Sequence, residues 1–252
     1  MPVSAGMYYF VHNPDQLQTP PIILVHGAGG DYLSWPPGIR RLSGERVLTI
    51  DLPGHGKSNG LGRNSISEYS DSLVALMDDL RIQKAVIVGH SMGGGIVLQL
   101  ALNHPDRVSG LGLIATGARL PVSKTLIEEL AFPATHSQAL HHIIEWSYGP
   151  LAGDELKQLG LRKLRETRPA ILSADLRACD AFNVTDQLTE VCVPTLVVCG
   201  SEDKMTPLHF STKLSGDISG AALQIIESTG HMVMAEQPAR LAGLLSLFVQ
   251  SI

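Results

Sequence analysis

In the segment Gly89-His90-Ser91-Met92-Gly93 a serine sits between two glycines, directly after the apolar run Ala85–Val88 and directly before a helical pattern. A strand that turns this sharply into a helix at a serine leaves the hydroxyl exposed for nucleophilic attack. The glycines answer a steric need, because side chains at 89 and 93 would collide with the adjacent strand and helix. The helix start also brings unpaired backbone N–H groups and the positive end of a dipole to any oxyanion formed there. A serine hydroxyl is a weak nucleophile until a histidine takes its proton and a carboxylate holds that histidine in the right tautomer. Two downstream turns supply such groups. Asp203 lies in the polar turn from Gly200 to Pro207, just past the apolar run Thr195–Cys199, and His231 ends Ser228-Thr229-Gly230-His231, just past Leu223–Ile226. Glu202 competes with Asp203 for the acid role. Adjacent residues cannot both aim at one histidine, and the reading favours Asp203.

The elements that must position these groups are apolar runs of strand length: Ile22–Val25, Val47–Ile50, Ala85–Val88, Val108–Ile114, Thr195–Cys199 and Leu223–Ile226. Helical stretches alternate with them, which predicts a mostly parallel, doubly wound α/β sheet. Residues 66–80 put Ile66, Tyr69, Leu73, Leu76 or Met77, and Leu80 on one helical face, with Ser65 and Glu68 spaced as a capping box. A last helix begins near Pro238, with Leu241, Leu244, Leu245, Phe248 and Ile252 as its apolar stripe. In open α/β sheets catalytic groups gather beyond the carboxyl ends of the strands, so Ser91, Asp203 and His231 are expected at one edge.

The alternation stops between residues 117 and 193. No buried-strand run appears there, and Pro121, Pro133, Pro150 and Pro169 punctuate short helical patterns. This predicts a core of residues 1–116 and 194–252 with a helical cap, 117–193, inserted between two strands. The cap leaves the sheet at the serine edge. It is expected to line an acyl pocket with apolar residues including Leu126, Leu130, Phe132, Trp146 and Tyr148, of which Phe132 and Trp146 are singled out.

The 252-residue chain carries 44% hydrophobic and 17% charged residues and a formal net charge of −5. That balance suits an ordinary globular protein and offers neither a basic footprint for nucleic acid nor a composition of disorder. No run of about 18 apolar residues is present to span a membrane, and the first residues lack a signal-peptide pattern, so the cytoplasm is the expected location. Cys179, Cys192 and Cys199 form no C-x-x-C pair and read as reduced, structural thiols.

The order serine, acid, histidine together with the glycine-flanked serine turn resembles the α/β-hydrolase family, and the likeness extends over almost the whole chain. His26-Gly27-Ala28-Gly29-Gly30 is similar to that family's oxyanion loop, and Asp51-Leu52-Pro53-Gly54-His55-Gly56-Lys57-Ser58 to its D-x-P-G-x-G-x-S turn. The resemblance implies Ser91 as nucleophile, Asp203 as acid, His231 as base, and the backbone N–H groups of Ala28 and Met92 as oxyanion donors. Only one strand, Met7–Val11, is evident before Ile22, so the family's first strand is expected to be absent or very short.

The remaining motifs have plainer readings. His26 and His55 precede glycines and are expected to make structural hydrogen bonds, neither with a carboxylate to orient it. His136, His141 and His142 have no partner at metal-ligand spacing, so no metal is expected. Gly56-Lys57-Ser58 imitates a phosphate loop, but Asp51 stands where its first glycine belongs. Tyr32 likewise stands where a third dinucleotide-binding glycine would fall. Arg162, Lys163, Arg165 and Arg168 read as a solvated helix face, with an acyl carrier or other acidic partner as the functional alternative. The expected activity is cofactor-free hydrolysis of a small or medium-sized carboxylic ester through an acyl-enzyme. Carbon–carbon bond hydrolases and cofactor-independent haloperoxidases share the same three residues, and a hydrolase-like ligand receptor is a further alternative.

Overall fold

Residues 2–252 are described by a computed structural model. All four residues of Ile22–Val25 are buried; Ile23 and Val25 join one hydrophobic cluster and Ile22 and Leu24 another. An apolar run without polar alternation is what a strand covered on both faces requires. The strands are β1 (Val3–Ser4), β2 (Met7–His12), β3 (Ile22–Val25), β4 (Val47–Ile50), β5 (Ala85–His90), β6 (Val108–Ile114), β7 (Thr195–Gly200) and β8 (Ala222–Ile226). They form one sheet in the order β1-β2-β4-β3-β5-β6-β7-β8. The first two pair antiparallel to their neighbours and the others run parallel. The first strand, expected to be absent or very short, is present as β1, two residues long, paired through Val3 to Tyr8 and Ser4 to Met7.

Helices α1 (Pro37–Arg40), α2 (Ile66–Asp79), α3 (Met92–Asn103), α4 (Lys124–Ala131), α5 (Pro133–Ser147), α6 (Asp154–Glu166), α7 (Pro169–Asp180), α8 (Leu208–Asp217), α9 (Val233–Glu236) and α10 (Pro238–Gln250) complete the chain. Leu73, Met77, Ile96, Leu100 and Leu214 place α2, α3 and α8 on one side of the sheet, while Ile39, Leu241 and Leu245 place α1 and α10 on the other. Because β3 pairs β4 on one edge and β5 on the other, the loops leaving β3 and β5 part at a crevice beyond their carboxyl ends. That crevice holds the glycine loop and Ser91.

Between β6 and β7 the chain builds α4 to α7 and no strand; one isolated bridge joins Arg119 and Asn183. Leu126, Leu130, Leu140, Ile143, Leu172 and Leu176 give these helices a small cluster of their own. The expected boundary at 193/194 is not where the packing changes. Phe182, Val184, Leu188 and Val191 already belong to the main cluster beneath the sheet, since a segment returning to a buried central strand must itself be covered. Among the described residues no helix is long and apolar enough to cross a membrane.

The cap of α2 differs from the sequence expectation in one bond. Ser65 Oγ accepts the Glu68 N–H at 3.2 Å, whereas the Glu68 carboxylate accepts from the Asn64 N–H at 2.8 Å instead of that of Ser65. Replacing the hydroxyl leaves an orphaned donor in the first turn. Ser65→Ala should lower unfolding free energy by about 1 kcal/mol in a urea titration, a typical N-cap loss.

Candidate active site

Ser91 adopts φ 52°, ψ −118°, between the end of β5 and the start of α3. A side chain with positive φ is strained, and tight surroundings must hold it. The Ser91 N–H donates to the Ile114 carbonyl at 3.0 Å, and its carbonyl accepts from Thr116 Oγ1 at 2.8 Å and from the Gly95 N–H at 3.2 Å. The flanking glycines are required by contact: a Cβ at Gly93 would stand 2.5 Å from the Val25 and His26 carbonyl oxygens, and one at Gly89 would overlap the Gly93 carbonyl. The backbone is thus fixed on every side, and the hydroxyl is left half-exposed on the wall of a cavity of about 1070 Å³.

Asp203 and His231 leave β7 and β8 on adjacent turns and meet: His231 Nδ1–H donates to Asp203 Oδ2 at 2.9 Å, and both side chains are buried. Asp203 also accepts the N–H groups of Met205 and Thr206, each at 2.8 Å, and the Thr206 hydroxyl at 2.7 Å. Burial alone would raise its pKa. The neighbouring His231 and the Thr206 donors outweigh burial and hold the carboxyl below its usual range. Glu202 is exposed, and its nearest side-chain partner is Ser201 at 3.5 Å. Of the two carboxylates, Asp203 meets His231 and Glu202 does not. With Nδ1 committed, Nε2 of His231 remains for a substrate or nucleophile. His231 and Ser91 share the cavity wall, but no hydrogen bond joins them among the described residues; such contacts commonly tighten only when substrate seats.

Opposite Ser91 runs the loop from His26 to Gly30. His26 Nδ1–H donates to the Gly27 carbonyl at 2.8 Å, and its Nε2 accepts the Leu52 N–H at 3.0 Å, so the ring is neutral and ties the β3 and β4 loops together. Burial and the nearby His55 push its pKa well down, in agreement with that tautomer. The planar peptide between Gly27 and Ala28 makes the Ala28 N–H point opposite the fixed Gly27 carbonyl. Among the described residues neither the Ala28 nor the Met92 N–H has a backbone acceptor.

Three groups that the sequence reading did not single out support the histidine turn. His90, the residue before Ser91, donates from Nε2 to the His231 carbonyl at 3.0 Å; burial and the adjacent His231 push its pKa to about 3, so it is neutral. Glu236 accepts the Gly149 N–H at 3.0 Å and the Gly230 N–H at 3.1 Å, joining the end of α5 to the residue before His231. Thr206 also lies 3.3 Å from His231 Nδ1. A motif pattern ranks only its fixed positions, and these groups act through contacts 6 to 141 residues apart.

Several expectations are corrected. Phe132 is 63% exposed and Trp146 stacks on His142 within the helical insertion; neither lines the cavity. Trp146 faces away because a helix offers only one stripe to the cavity, and α5 offers Ile143, Ile144 and Ser147, whereas Phe132 lies in the joint between α4 and α5 and turns to solvent. Of the other residues expected there, Tyr148 lines the cavity whereas Leu126 and Leu130 pack inside the insertion. His55 does have a carboxylate partner, Asp175, at 2.7 Å. Arg168 is more than a solvated charge, since it donates to the Gly54 and Gly60 carbonyls at 2.9 and 2.8 Å. Lys163 pairs with Glu166 at 2.9 Å, and Arg162 and Arg165 are exposed. His142 meets Glu129 at 3.0 Å, yet among the described residues no group of three potential ligands converges. Cys192 is exposed, unlike the buried Cys179 and Cys199.

Residues 22–244 match the alpha/beta hydrolase family. The chain is 32% identical over 237 residues to the dihydrolipoyllysine-residue acetyltransferase component of the acetoin cleaving system from Pseudomonas putida; the match covers 86% of this chain and 60% of that relative's length. It is 31% identical over 265 residues to a 2-hydroxymuconate semialdehyde hydrolase from Pseudomonas putida, covering 98% of this chain and 92% of the relative. Among solved structures, a thermophilic esterase superposes with a TM-score of 0.83 at 28% identity, covering 97% of this chain and 98% of the other. A family match over most of the chain and a relative above 30% identity along nearly its full length lead to one conclusion: the chain belongs to the alpha/beta hydrolase family and is a hydrolase.

Proposed function

We propose that this hydrolase cleaves a carboxylic ester of small or medium size through an acyl-enzyme, with Ser91 as nucleophile, His231 as base and Asp203 as its orienting acid. The observation that carries the reading is the 2.9 Å bond from His231 Nδ1–H to Asp203 Oδ2 beside a strained Ser91 on the same cavity. In the acylation step His231 Nε2 takes the Ser91 proton as Oγ adds to the ester carbonyl. The Ala28 and Met92 N–H groups meet the oxyanion, and His231 then protonates the departing alcohol. Water repeats the sequence to release the acid and restore Ser91. One oxyanion donor is worth roughly 3 kcal/mol of barrier in characterised hydrolases.

The cavity supports an apolar acyl or alcohol portion. Leu120, Ile143, Ile144, Leu172, Leu176 and Met205 line it, and its volume lies near the upper end of common small-molecule sites, about 1,000 Å³. The similarity to a semialdehyde hydrolase along nearly the whole chain favours carbon–carbon bond hydrolysis as the second reading. A substrate panel of p-nitrophenyl esters of graded chain length, lactones and dienones separates the two: turnover confined to dienones overturns the ester reading.

Ser91→Ala and His231→Ala should each lower kcat by at least about 10⁴-fold, since members of a cooperative unit fail together. Circular dichroism and urea midpoints should remain close to those of the parent for Ser91→Ala, and turnover retained by the purified variant refutes the assignment. Asp203→Asn should cost a large rate factor where Glu202→Gln costs almost none; the opposite ranking would transfer the acid role.

The pH dependence of stability follows from the lowered Asp203 pKa. The unfolded chain binds the proton more readily, so the stabilisation is complete above the ordinary carboxylate range and is lost as pH falls through the depressed folded value. The stability gap between the parent and Asp203→Asn should therefore be widest near neutrality and should close on acidification, as measured by urea midpoints across pH. A gap that grows towards acid contradicts the pairing.

Ile144→Ala, which widens the cavity, should shift preference among ester chain lengths, whereas Phe132→Ala should leave the profile unchanged. Parallel kcat/KM series for the two variants check this.

A further inference from the structure

Helix α7 carries an aspartate that the acyl-transfer scheme does not use. Asp175 is completely buried, although the same helix packs with Leu172 and Leu176 and could close with apolar side chains alone. Its Oδ1 accepts from Tyr69 Oη at 2.7 Å, while Oδ2 accepts from His55 Nε2 at 2.7 Å and from the Gly29 N–H at 2.9 Å. The three donors come from α2, the loop after β4 and the loop after β3. Burial works against a charged His55, but the hydrogen bond and charge of Asp175 outweigh it and raise the His55 pKa. Removing a carboxylate from water costs several kcal/mol unless it is paired and fully bonded, and here two of the three donors it gathers, Gly29 and His55, belong to the wall of the crevice.

Gly29 is gripped at its other polar atom as well. Its carbonyl accepts from Thr167 Oγ1 at 2.6 Å, just after α6. Gly29 has φ +64°, and a Cβ there would stand 2.9 Å from Leu164 and 3.0 Å from Leu172, both in the insertion. A left-handed glycine has broad conformational freedom, so something outside the loop must choose its conformation. Within the loop the chain supplies only the 3.1 Å bond from the Gly30 N–H to the Gly27 carbonyl and the His26 contact. Both polar backbone atoms of Gly29 are held from 138 and 146 residues away.

We propose that Asp175 and Thr167 form a clamp from the helical insertion that holds Gly29, and through it the Ala28 N–H, in the orientation that meets the oxyanion. The insertion then completes the oxyanion site as well as walling the cavity. Asp175 and Thr167 are positioning residues, and the proposal rests on the serine-hydrolase reading above.

The test compares Asp175→Asn and Thr167→Val with the parent. An asparagine turns an amide N–H towards donors that need an acceptor, and valine keeps the shape of threonine without its hydroxyl. Five quantities are measured: kcat and KM for p-nitrophenyl acetate, the rate of Ser91 labelling by a fluorophosphonate, the inhibition constant of an aryl trifluoromethyl ketone, and the urea midpoint. A displaced donor costs up to about 10²–10³ in rate, so a loosened one should lower kcat roughly tenfold to a hundredfold. KM should stay within about twofold. The ketone, which forms a tetrahedral oxyanion on Ser91, should lose affinity in proportion to kcat/KM, and labelling should slow in step.

Unchanged kcat in both variants, or losses confined to KM and the urea midpoint, overturns the clamp. If Asp175→Asn does not fold, Thr167→Val decides alone by the same criteria. Ser91→Ala, run alongside, keeps the two proposals apart. Ester turnover surviving in that variant removes the serine-hydrolase reading, whereas its loss beside unaffected clamp variants removes only the clamp.

Discussion

The contact on which the site depends is the approach of Gly93 to the carbonyls of Val25 and His26. At this distance no Cβ fits, so the start of α3 is pressed onto the end of β3. The pressure fixes Ser91 at positive φ and simultaneously sets how far the His26–Gly30 loop stands from the serine. Ser91 and the His26–Gly30 loop are therefore placed by one backbone packing event. Because β3 and β5 are neighbours with full register from Ile22 to Val25, their loops cannot drift apart without unpairing the centre of the sheet. Local strain at Ser91 is supported by the most buried hydrogen-bonded layer of the molecule, as strained functional residues generally require.

Charge around this centre is managed by choosing which imidazoles meet a carboxylate. His26 and His90 are kept neutral by burial and by the histidines beside them, which outweigh the opposite effect of their bonds to backbone carbonyls. His55 and His231 each face an aspartate, and these two pairs differ in what lies beyond them. The Asp203–His231 pair leaves its second ring nitrogen towards the cavity that holds Ser91. In the Asp175–His55 pair both ring nitrogens are occupied, by Asp175 and by the Pro53 carbonyl at 3.1 Å. One imidazole–carboxylate unit is thus open to proton transfer and the other closed and cohesive. In a low-dielectric interior either carboxylate left alone would be costly, so neither Asp203 nor Asp175 is interchangeable with a neutral residue.

The helical insertion contributes to both functions of the cavity. Its apolar stripe from α5 and α7 faces the serine edge, while its polar contacts, from Thr167, Arg168 and Asp175, attach it to the glycine loops after β3 and β4. Attachment through backbone carbonyls and N–H groups fixes the relation of lining residues to Ser91 more narrowly than apolar packing alone, because hydrogen bonds are directional.

The sequence by itself determined the mostly parallel sheet and the serine turn between β5 and α3. Apolar runs of strand length, a serine between two glycines and the chain order of three residue types are local signals, and local backbone physics enforces them. It also marked a gap between two buried strands too long for a simple crossover, where the structure has α4 to α7. Tertiary structure alone decided which acid meets His231, because Asp203 and Glu202 differ by one step of chain whose direction depends on the Thr206 turn. It decided likewise that Trp146 turns away from the cavity, since the outward and inward stripes of α5 are distinguished only by how the helix docks, and that Phe132, in the joint before α5, faces solvent. The carboxylate of His55 was hidden for the same reason: Asp175 lies 120 residues further along the chain, in a helix whose sequence pattern records amphipathicity but not the identity of the surface it meets.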